Sequence, residues 1–297
     1  MKYYIGIDLG GTNVRVAKVD KTGNIIQDVK HKSYGLEGPR DRTVNAVFEC
    51  LDKIKNINEC SGIGIGVPGP VDTKKKVMTL SSNLVDFEYF PLAQMIEERY
   101  DLPTYIDNDA NVAGLAEAVL GAGKGEDIVY YLTHSTGIGG ALIINGKVVS
   151  GKSGYAGEVA NIIIDRNRPS INGLNPGAVE SYASGTAIVR RGKELFGDKV
   201  KTAREVFEMF ADNDPQAHEL VNDVCRDFAQ MMATIAHVVD PGIFVIGGGC
   251  SYSSDLYFPL IEKYYKEMVH PGMRDIKIVR AVLEEPGVLG AAMLARK

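Results

Sequence analysis

Two segments of the chain place glycines and hydroxyl residues directly after an apolar run. YIGIDLGGTN, residues 4–13, runs through Asp8 into two glycines and a threonine, and LTHSTGIGGA, residues 132–141, repeats the arrangement. Glycine lets backbone N–H groups approach an anion closely and threonine adds a donor, so each segment predicts a phosphate-binding turn. Asp8 would repel a phosphate unless Mg²⁺ lay between them. A hairpin turn capped by Asp8 explains the first segment equally well.

Several acidic residues stand among small residues, where they could accept hydrogen bonds from hydroxyl groups. In IDNDAN, residues 106–111, Asp109 follows an apolar run and precedes a helical pattern. It is suited either to capping that helix, worth about 1 kcal/mol, or to acting as a general base. Glu158 and Glu180, with Asn108, are typical of a sugar site, because a buried acceptor left unpaired rejects analogues that lack the hydroxyl. Any one of these carboxylates could instead be an ion-pair partner.

The hydrophobic pattern predicts two α/β halves that position these residues. The first begins with strands in YYIGIDL, NVRVAKVD and IIQDVKHKSY and continues with a helix over 41–56, a strand, a helix, the strand PTYID and a helix from NDAN. The second begins with DIVYYLT and a hairpin at Asn145-Gly146. Helices are expected over 178–196, 202–211, 214–239 and from 254, and the last helix is PGVLGAAMLARK. We place the domains at 1–115 and 116–284, with the helix at about 285–297 returning to the first.

Two further glycine motifs are expected to be unrelated to phosphate binding. GKVVSGKS, residues 146–153, matches the P-loop pattern, but Val148 and Val149 read as the return arm of the hairpin, and no helix is expected after it. GIGVPG, residues 64–69, matches a dinucleotide-binding pattern, but prolines follow and no helix opens to receive a pyrophosphate. A third glycine-rich segment, VIGGG, also follows an apolar run. We refer to it as the VIGGG corner, and by itself it is only a weak indication of nucleotide binding.

The composition excludes several classes of protein. The length of 297 residues predicts about two domains, and a net charge of −5 without basic clusters argues against nucleic-acid binding. Four widely spaced cysteines predict reduced thiols in a cytoplasmic protein rather than a disulfide scaffold. No apolar run is long enough to span a bilayer, so we expect no membrane partner.

With these segments in view, the chain resembles the ROK family of sugar kinases, within the actin-like ATPase superfamily. The resemblance extends over the whole length, and its most specific blocks are residues 8–13, 106–111 and 136–140. It implies two actin-like (ribonuclease-H-like) domains with a nucleotide and sugar cleft between them. The other matching blocks are GIGVPGPVD, SSNL followed by PL, GYAGEV, VESYASG, VIGGG and GVLGAAMLA.

The resemblance also implies roles for individual residues. Asp109 would take the proton from the sugar hydroxyl, and Asp8 would orient Mg²⁺, through water. The implied sugar-binding residues are Gly69, Asn83, Asn108, Asp109, Glu158, Asn161 and Glu180. The implied ATP-binding residues are Asp8, Gly10, Gly11, Thr12, Asn13, Thr133, Ser135, Thr136, Gly137, Gly247, Gly248 and Gly249.

One departure from the family concerns zinc. Members commonly carry E-x-G-H and then C-x-C-G-x-x-G-C-x-E, whose histidine and three cysteines bind a structural zinc. Here Asn161 stands at the histidine position, and Ile171, Gly173 and Ala178 stand at the cysteine positions. Isoleucine and alanine cannot ligate Zn²⁺, so we predict no zinc site. Asn161 replaces the usual histidine, and Asp86 replaces a usual glycine near the sugar pocket. Because of these two departures, the resemblance does not identify the preferred sugar.

These observations predict an ATP-dependent hexose kinase, most simply one that converts glucose to glucose 6-phosphate. Fructose, mannose, N-acetylmannosamine or a β-glucoside are the alternative substrates. The alternative from another class is the core of a ROK-type sugar-sensing transcriptional regulator. Asp8 and Asp109 favour catalysis, and the first strand begins at Tyr3, which leaves no preceding helix-turn-helix. The resemblance further implies a homodimer.

Overall fold

The computed structural model describes residues 2–81 and 83–296, which form two compact units. The first unit comprises Met1–Gly125, Ala141–Gly157 and Val282–Lys297, and the second comprises Glu126–Gly140 and Glu158–Ala281. Residues 116–125 and 141–157 therefore group with the first unit rather than with the second. In the described part of the chain, no helix combines the length and apolarity needed to cross a membrane.

Strands and helices alternate in both units, as the hydrophobic pattern predicts. In chain order they are β1 (Tyr3–Leu9), β2 (Asn13–Asp20), β3 (Ile25–Lys32), α1 (Arg40–Asp52), β4 (Cys60–Val67), β5 (Val71–Asp72), β6 (Val77–Met78), α2 (Leu92–Tyr100), β7 (Thr104–Asn108), α3 (Asp109–Val119), β8 (Ile128–His134), β9 (Ile138–Ile144), β10 (Lys147–Val148), α4 (Glu180–Ala183), α5 (Gly185–Phe196), α6 (Ala203–Ala211), α7 (Pro215–Val239), β11 (Ile243–Gly247), α8 (Ser254–Met268), β12 (Lys277–Arg280) and α9 (Pro286–Leu294).

The main sheet of the first unit has the strand order β3-β2-β1-β4-β7. β1, β2 and β3 are antiparallel neighbours, because short turns connect them, whereas β4 is parallel to β1 and β7 is parallel to β4. The carboxyl ends of β1, β4 and β7 therefore lie at one edge of the sheet. Asp8 is near the end of β1, and Asn108 is the last residue of β7.

Helix α9 packs directly on the backbone of its neighbours in the first unit. A Cβ atom on Gly6 of β1 would lie 2.0 Å from a carbonyl oxygen of α9, and one on Gly64 of β4 would lie 1.8 Å from another. A Cβ atom on Gly290 of α9 would lie 1.6 Å from the carbonyl oxygen of Val112 in α3. Only glycine permits such an approach, which fixes α3 and its first residue, Asp109, against the sheet.

The sheet of the second unit contains the order β9-β8-β11-β12, with β11 parallel to both β8 and β12. Thr133 and Gly247 are register partners, so the ends of β8 and β11 lie side by side. This places the segment after β8 beside the VIGGG corner, two features that are more than 100 residues apart in the sequence.

The hairpin at Asn145-Gly146 is confirmed, and it settles the interpretation of GKVVSGKS. Asn145 has φ 50° and Gly146 has φ 69°, the left-handed pair typical of a two-residue hairpin turn between β9 and β10. The described residues 149–179 form turns and no helix. A P-loop requires a helix whose N-terminus faces the phosphates, so this segment is not one.

Two predicted helices end differently in the structure. The helix expected over 178–196 is interrupted at Ser184, whose backbone is extended (ψ 164°) and whose hydroxyl accepts the N–H of Ala187, so that Ser184 caps α5. The helix expected over 41–56 ends at Asp52, and Asn56 lies in the left-handed region (φ 53°), where a helix cannot continue.

All four cysteines are free thiols and buried: Cys50, Cys60, Cys225 and Cys250. Burial raises the pKa of each thiol, to about 11 for Cys250. Since the thiolate is the reactive form, these side chains are chemically protected in the folded chain.

Candidate active site

In the first unit, glycines allow the turn after β1 to pack closely against two other loops. The Gly10 N–H donates to the Asn13 carbonyl oxygen at 2.9 Å, which closes the turn. A Cβ atom on Gly11 would lie 3.0 Å from the Asn83 carbonyl oxygen, and one on Gly35 would lie 2.1 Å from that of Gly11. The turn is a hairpin connection between β1 and β2, and Thr12 and Asn13 are exposed beside it.

Asp109 lies close enough to Asp8 to affect the ionisation of the Asp8 carboxyl group. Burial is the main cause that raises the pKa of Asp8, the charge of Asp109 raises it further, and Arg15 lowers it. The pKa of Asp109 is raised, with desolvation by the surrounding groups as the largest cause, although the residue is exposed to solvent. The two neighbouring carboxyl groups therefore favour the binding of a cation or a proton, most strongly at the desolvated Asp8.

Asn108 rather than Asp109 caps helix α3. The Asn108 Oδ1 atom accepts the N–H groups of Ala110 at 2.8 Å and Asn111 at 3.4 Å, while Nδ2 donates to the Gly69 carbonyl oxygen at 3.1 Å. Asp109 is the first helical residue, and its Oδ1 accepts the neighbouring Ala110 N–H at 2.8 Å. The cap is thus supplied without Asp109, which leaves that carboxylate available for chemistry.

Asp107 is a buried carboxylate that sequence reasoning missed. Its Oδ1 atom accepts the Asn108 N–H at 2.8 Å and the Asn111 amide at 2.7 Å, and its Oδ2 accepts the Ser150 hydroxyl at 3.3 Å. Desolvation raises its pKa. These bonds fix the backbone on which Asn108 and Asp109 stand. The sequence DNDAN contained a signal for the Asp107–Asn111 hydrogen bond, since these two polar residues are four positions apart, about one helical turn.

In the second unit, the turn after β8 is held by the start of helix α5. The N–H groups of Gly185 and Thr186 donate to the carbonyl oxygens of Ser135 at 2.8 Å and Thr136 at 3.2 Å. A Cβ atom on Gly248 would lie 2.6 Å from the His134 carbonyl oxygen, so the VIGGG corner packs tightly on this turn. The two glycine-rich corners of this unit therefore form one structure.

A cavity of about 460 Å³ opens beside these two corners. Of the predicted nucleotide residues, Ser135, Thr136 and Gly249 line it, whereas Thr133 and Gly247 support the corners from behind. The volume is in the range of small-molecule sites. Sequence reasoning missed several lining residues, because they come from α5, from α6 and the two residues before it, and from the segment after Gly249: Thr186, Lys201, Thr202, Arg204, Phe207 and Cys250.

The predicted sugar residues of the second unit lie in separate environments. The Glu180 Oε2 atom accepts the Ile138 N–H at 2.8 Å, and a Cβ atom on Gly137 would lie 2.5 Å from it, so Glu180 adjoins the turn after β8. Glu158 is exposed, and its charge contributes to raising the pKa of Tyr130 to about 12, although burial is the larger cause. Asn161 is exposed, and its Oδ1 accepts the Asn175 N–H at 2.7 Å.

With the geometry of both units established, comparison with known proteins identifies the family. The family model described as "ROK family" matches residues 4–297. The chain belongs to the ROK family. The predicted family and fold class, with two actin-like units, are thereby confirmed.

Other ROK proteins of known name and structure match this chain over nearly its full length. It is 30% identical to a glucokinase of Thermotoga maritima, covering 99% of this chain and 97% of the relative. It is 29% identical to an N-acetylmannosamine kinase of Escherichia coli O139:H28, covering 98% of each.

Two solved ROK structures are similar in backbone. A ROK hexokinase from Thermus thermophilus has 32% identity and a TM-score of 0.88, covering 99% of this chain and 98% of that chain. A ROK family glucokinase from Streptomyces griseus, solved in complex with glucose and AMPPNP, has 29% identity and a TM-score of 0.78, covering 99% of each chain.

Hydrogen bonds and an ion pair hold the loop of this ROK protein that departs from the family zinc motif. Besides the Asn161–Asn175 bond, the Arg168 guanidinium donates to Asp227 on α7 at 2.5 Å and lies 4.8 Å from the centre of the Tyr182 ring. Among the described residues, no group of three His, Cys, Asp or Glu side chains could hold a metal ion. The absence of zinc stays a prediction, which metal analysis of the purified protein would test.

His134, the last residue of β8, is fully buried and links three elements behind the turn. Its Nε2 lies 2.8 Å from the Ala183 carbonyl oxygen, to which it must donate, so its Nδ1 accepts the Tyr257 hydroxyl at 3.0 Å. Burial lowers the pKa of His134 to about 4. The neutral ring therefore supports the turn, a role that a lone histidine in LTHSTG does not reveal.

We expect the stability of the ROK chain to fall in acid because of His134. An unfolded histidine titrates near 6.5, so protonation favours the unfolded chain once the pH drops below that value. The stabilisation is fully present above about pH 7 and is lost progressively towards pH 4, by a total of about 3 kcal/mol. Urea unfolding followed by circular dichroism, on the native chain and on His134→Gln, would measure it. Equal pH dependence in the two proteins would contradict this assignment.

Proposed function

We propose that this ROK protein is an ATP-dependent sugar kinase that phosphorylates a hexose hydroxyl, with glucose as its substrate. The observation that carries this proposal is the pair Asp8 and Asp109 at the carboxyl edge of the sheet, with Asn108 capping α3 in place of Asp109. The named relatives, including glucokinases of similar length, support the same reaction.

Asp109 acts as the general base in this proposal. It takes the proton from the attacking hydroxyl, whose oxygen forms the new bond to the γ-phosphorus of ATP while the bond to the ADP oxygen breaks. Its raised pKa makes it a better proton acceptor than a carboxylate with the usual pKa, provided that it is ionised at the working pH. Most of the remaining catalysis comes from positioning the two substrates.

The other predicted sugar residues serve to orient the hexose. Gly69 and Asn83 flank the turns of the first unit, and Glu158 and Glu180 supply carboxylate acceptors from the second. Asn161 offers a donor from its Nδ2 atom, because its Oδ1 atom already accepts a backbone N–H. A histidine there would offer different hydrogen bonds, so the preferred anomer or sugar is expected to differ from that of zinc-containing relatives.

The carboxylates of the first unit fit a magnesium ion. Mg²⁺ is usually held by one or two carboxylates and completes its coordination with substrate phosphates and water. The charge of Asp109 disfavours ionisation of the half-buried Asp8, so a divalent cation beside Asp8 would relieve this repulsion, and Asp8 would hold it, through water. When bound, the ion neutralises phosphate charge during transfer.

A coupled assay of ADP release would test the proposed reaction. We expect Mg-ATP turnover with glucose, and the panel should include fructose, mannose, N-acetylmannosamine, other N-acetylhexosamines and cellobiose to locate the alternatives. Lys152→Ala is a suitable control, because Lys152 belongs to GKVVSGKS, which matches the P-loop pattern but does not form a P-loop. This substitution should leave turnover unchanged. The proposal fails if none of these sugars raises the rate of ADP release above the rate measured with ATP alone.

We further propose that the protein acts in the cytoplasm as a homodimer. Its unpaired cysteines support a reducing compartment, and the family resemblance supports the dimer. Light scattering coupled to gel filtration would measure the mass of the assembly.

A further inference from the structure

A second cavity of the second unit, of about 260 Å³, adjoins the nucleotide-sized one. Thr136 and Thr186 line both cavities, so the two share a wall. Asn172, Ser181 and Ser184 contribute amide and hydroxyl groups to the lining of the smaller cavity, beside two charged residues. It is smaller than a site that buries a nucleoside, and its lining is suited to a compact polar group.

Arg190 of α5 is the cationic residue that lines this cavity. It is half-buried, and its guanidinium donates to the Ser181 carbonyl oxygen at 2.9 Å. Among the described residues, none of the ion pairs involves Arg190, whereas the adjacent Arg191 is paired with Asp223 at 3.0 Å. A partly desolvated arginine without a carboxylate partner is typical of a site that receives an anion.

One carboxylate also lines the cavity, but in the described part of the chain it forms no ion pair with Arg190. Glu180 is the acid among the lining residues, and its Oε2 atom accepts the Ile138 N–H. The first N–H groups of α5 are bonded to the carbonyl oxygens of Ser135 and Thr136, so they cannot bind a phosphate. Arg190 is therefore the group of this cavity best able to bind a negative charge.

We propose that Arg190 binds the phosphate groups of the nucleotide that occupies the adjoining cavity. This rests on the proposed function, because it assigns a ligand to the nucleotide half of that reaction. The basic residues that stand near the two turns in the sequence are already engaged, since Arg15 pairs with Asp28 and Glu285, and His134 is buried and neutral. Lys201 and Arg204 line the nucleotide-sized cavity, and Arg190, which belongs to none of the ion pairs of the described residues, adds a cation from the cavity that shares its wall. Arginine suits this role because its planar guanidinium donates two parallel hydrogen bonds to phosphate.

Calorimetric titration with ADP and with adenosine, both in the absence of sugar, would test this proposal. We expect Arg190→Gln to weaken ADP binding by about 10- to 100-fold, the size of a charged hydrogen bond, and to leave adenosine binding within about twofold. Arg190→Lys should recover part of the ADP affinity. Arg191→Gln is the matched control, since it removes an arginine one position away that is already paired, and it should bind both ligands normally.

The result that overturns the proposal is an Arg190→Gln variant that binds ADP like the native chain, or one that loses ADP and adenosine equally. The second outcome would mean that Arg190 only supports the fold. These results are independent of the sugar. If Arg190→Gln selectively loses ADP affinity but the native chain phosphorylates no sugar, the role of Arg190 stands and the kinase proposal is rejected. If the native chain phosphorylates a sugar but Arg190→Gln binds ADP normally, the kinase proposal stands and the role of Arg190 is rejected.

Discussion

Replacing Asp109 by asparagine is expected to lower kcat by about 10²- to 10⁴-fold, the usual contribution of a general base. The amide keeps the shape of the side chain but cannot accept the proton. Initial rates of ADP release with glucose, at saturating ATP, would measure the change. In the native enzyme, activity should decline as the pH falls through the pKa of Asp109, and this decline should begin above the usual carboxylate range because burial raises that pKa.

Stability measurements separate this effect from misfolding. The ionised Asp109 lies close to Asp8 and raises the pKa of that carboxyl group, so its neutral replacement should leave the melting temperature equal or higher. Asp101→Asn makes the same chemical change at the exposed end of α2, where φ is 53°, a conformation that asparagine tolerates. That control should retain full activity. If Asp109→Asn keeps more than a tenth of native kcat, Asp109 is not the general base.

The second large effect is expected from Gly290→Ala in helix α9. The added methyl group would lie 1.6 Å from the Val112 carbonyl oxygen, so α3 and α9 must move apart. Overpacking of this kind costs about 1–3 kcal/mol, and the upper end applies here because the obstacle is backbone rather than a flexible side chain. Because α3 begins at Asp109, the displacement should also lower kcat. Thermal unfolding followed by circular dichroism, together with the ADP assay, would measure both changes.

Gly272→Ala is the matched control for this substitution. A Cβ atom on Gly272 meets nothing within 4 Å, and its φ is not in the left-handed region. The melting temperature of this variant should stay close to that of the native chain, since surface substitutions usually change stability by less than about 0.5 kcal/mol. If Gly290→Ala is as stable and active as Gly272→Ala, the close packing of α9 does not position the site.

Local chemistry in the sequence was enough to predict much of the fold. The alternation in β1 to β3, the Asn145-Gly146 turn and the helical period of α7 each depend on residues that are neighbours in the chain. The break at Ser184 was missed, because GAVESYASGTAIVRR reads as one apolar helical pattern. A serine that caps α5 from inside that pattern becomes evident only when its backbone is seen.

The candidate site was predictable only where its residues belong to one short segment. IDNDAN identified Asn108 and Asp109 together, but it could not say which of them caps the helix. Arg190 and the buried His134 could not be assigned from sequence. Their environments are made by α4, α5 and α8, and no periodicity specifies which of the many arginines or histidines such distant segments will enclose.

The buried thiols described above make this protein a convenient background for optical reporters. The chain contains no tryptophan, and its cysteines are shielded from maleimide reagents in the folded state. A single cysteine introduced in place of the exposed Lys201, at the wall of the 460 Å³ cavity, would therefore take up a dye selectively. Such a labelled enzyme would report the arrival and departure of ligands in real time, without the removal of any native side chain that the fold needs.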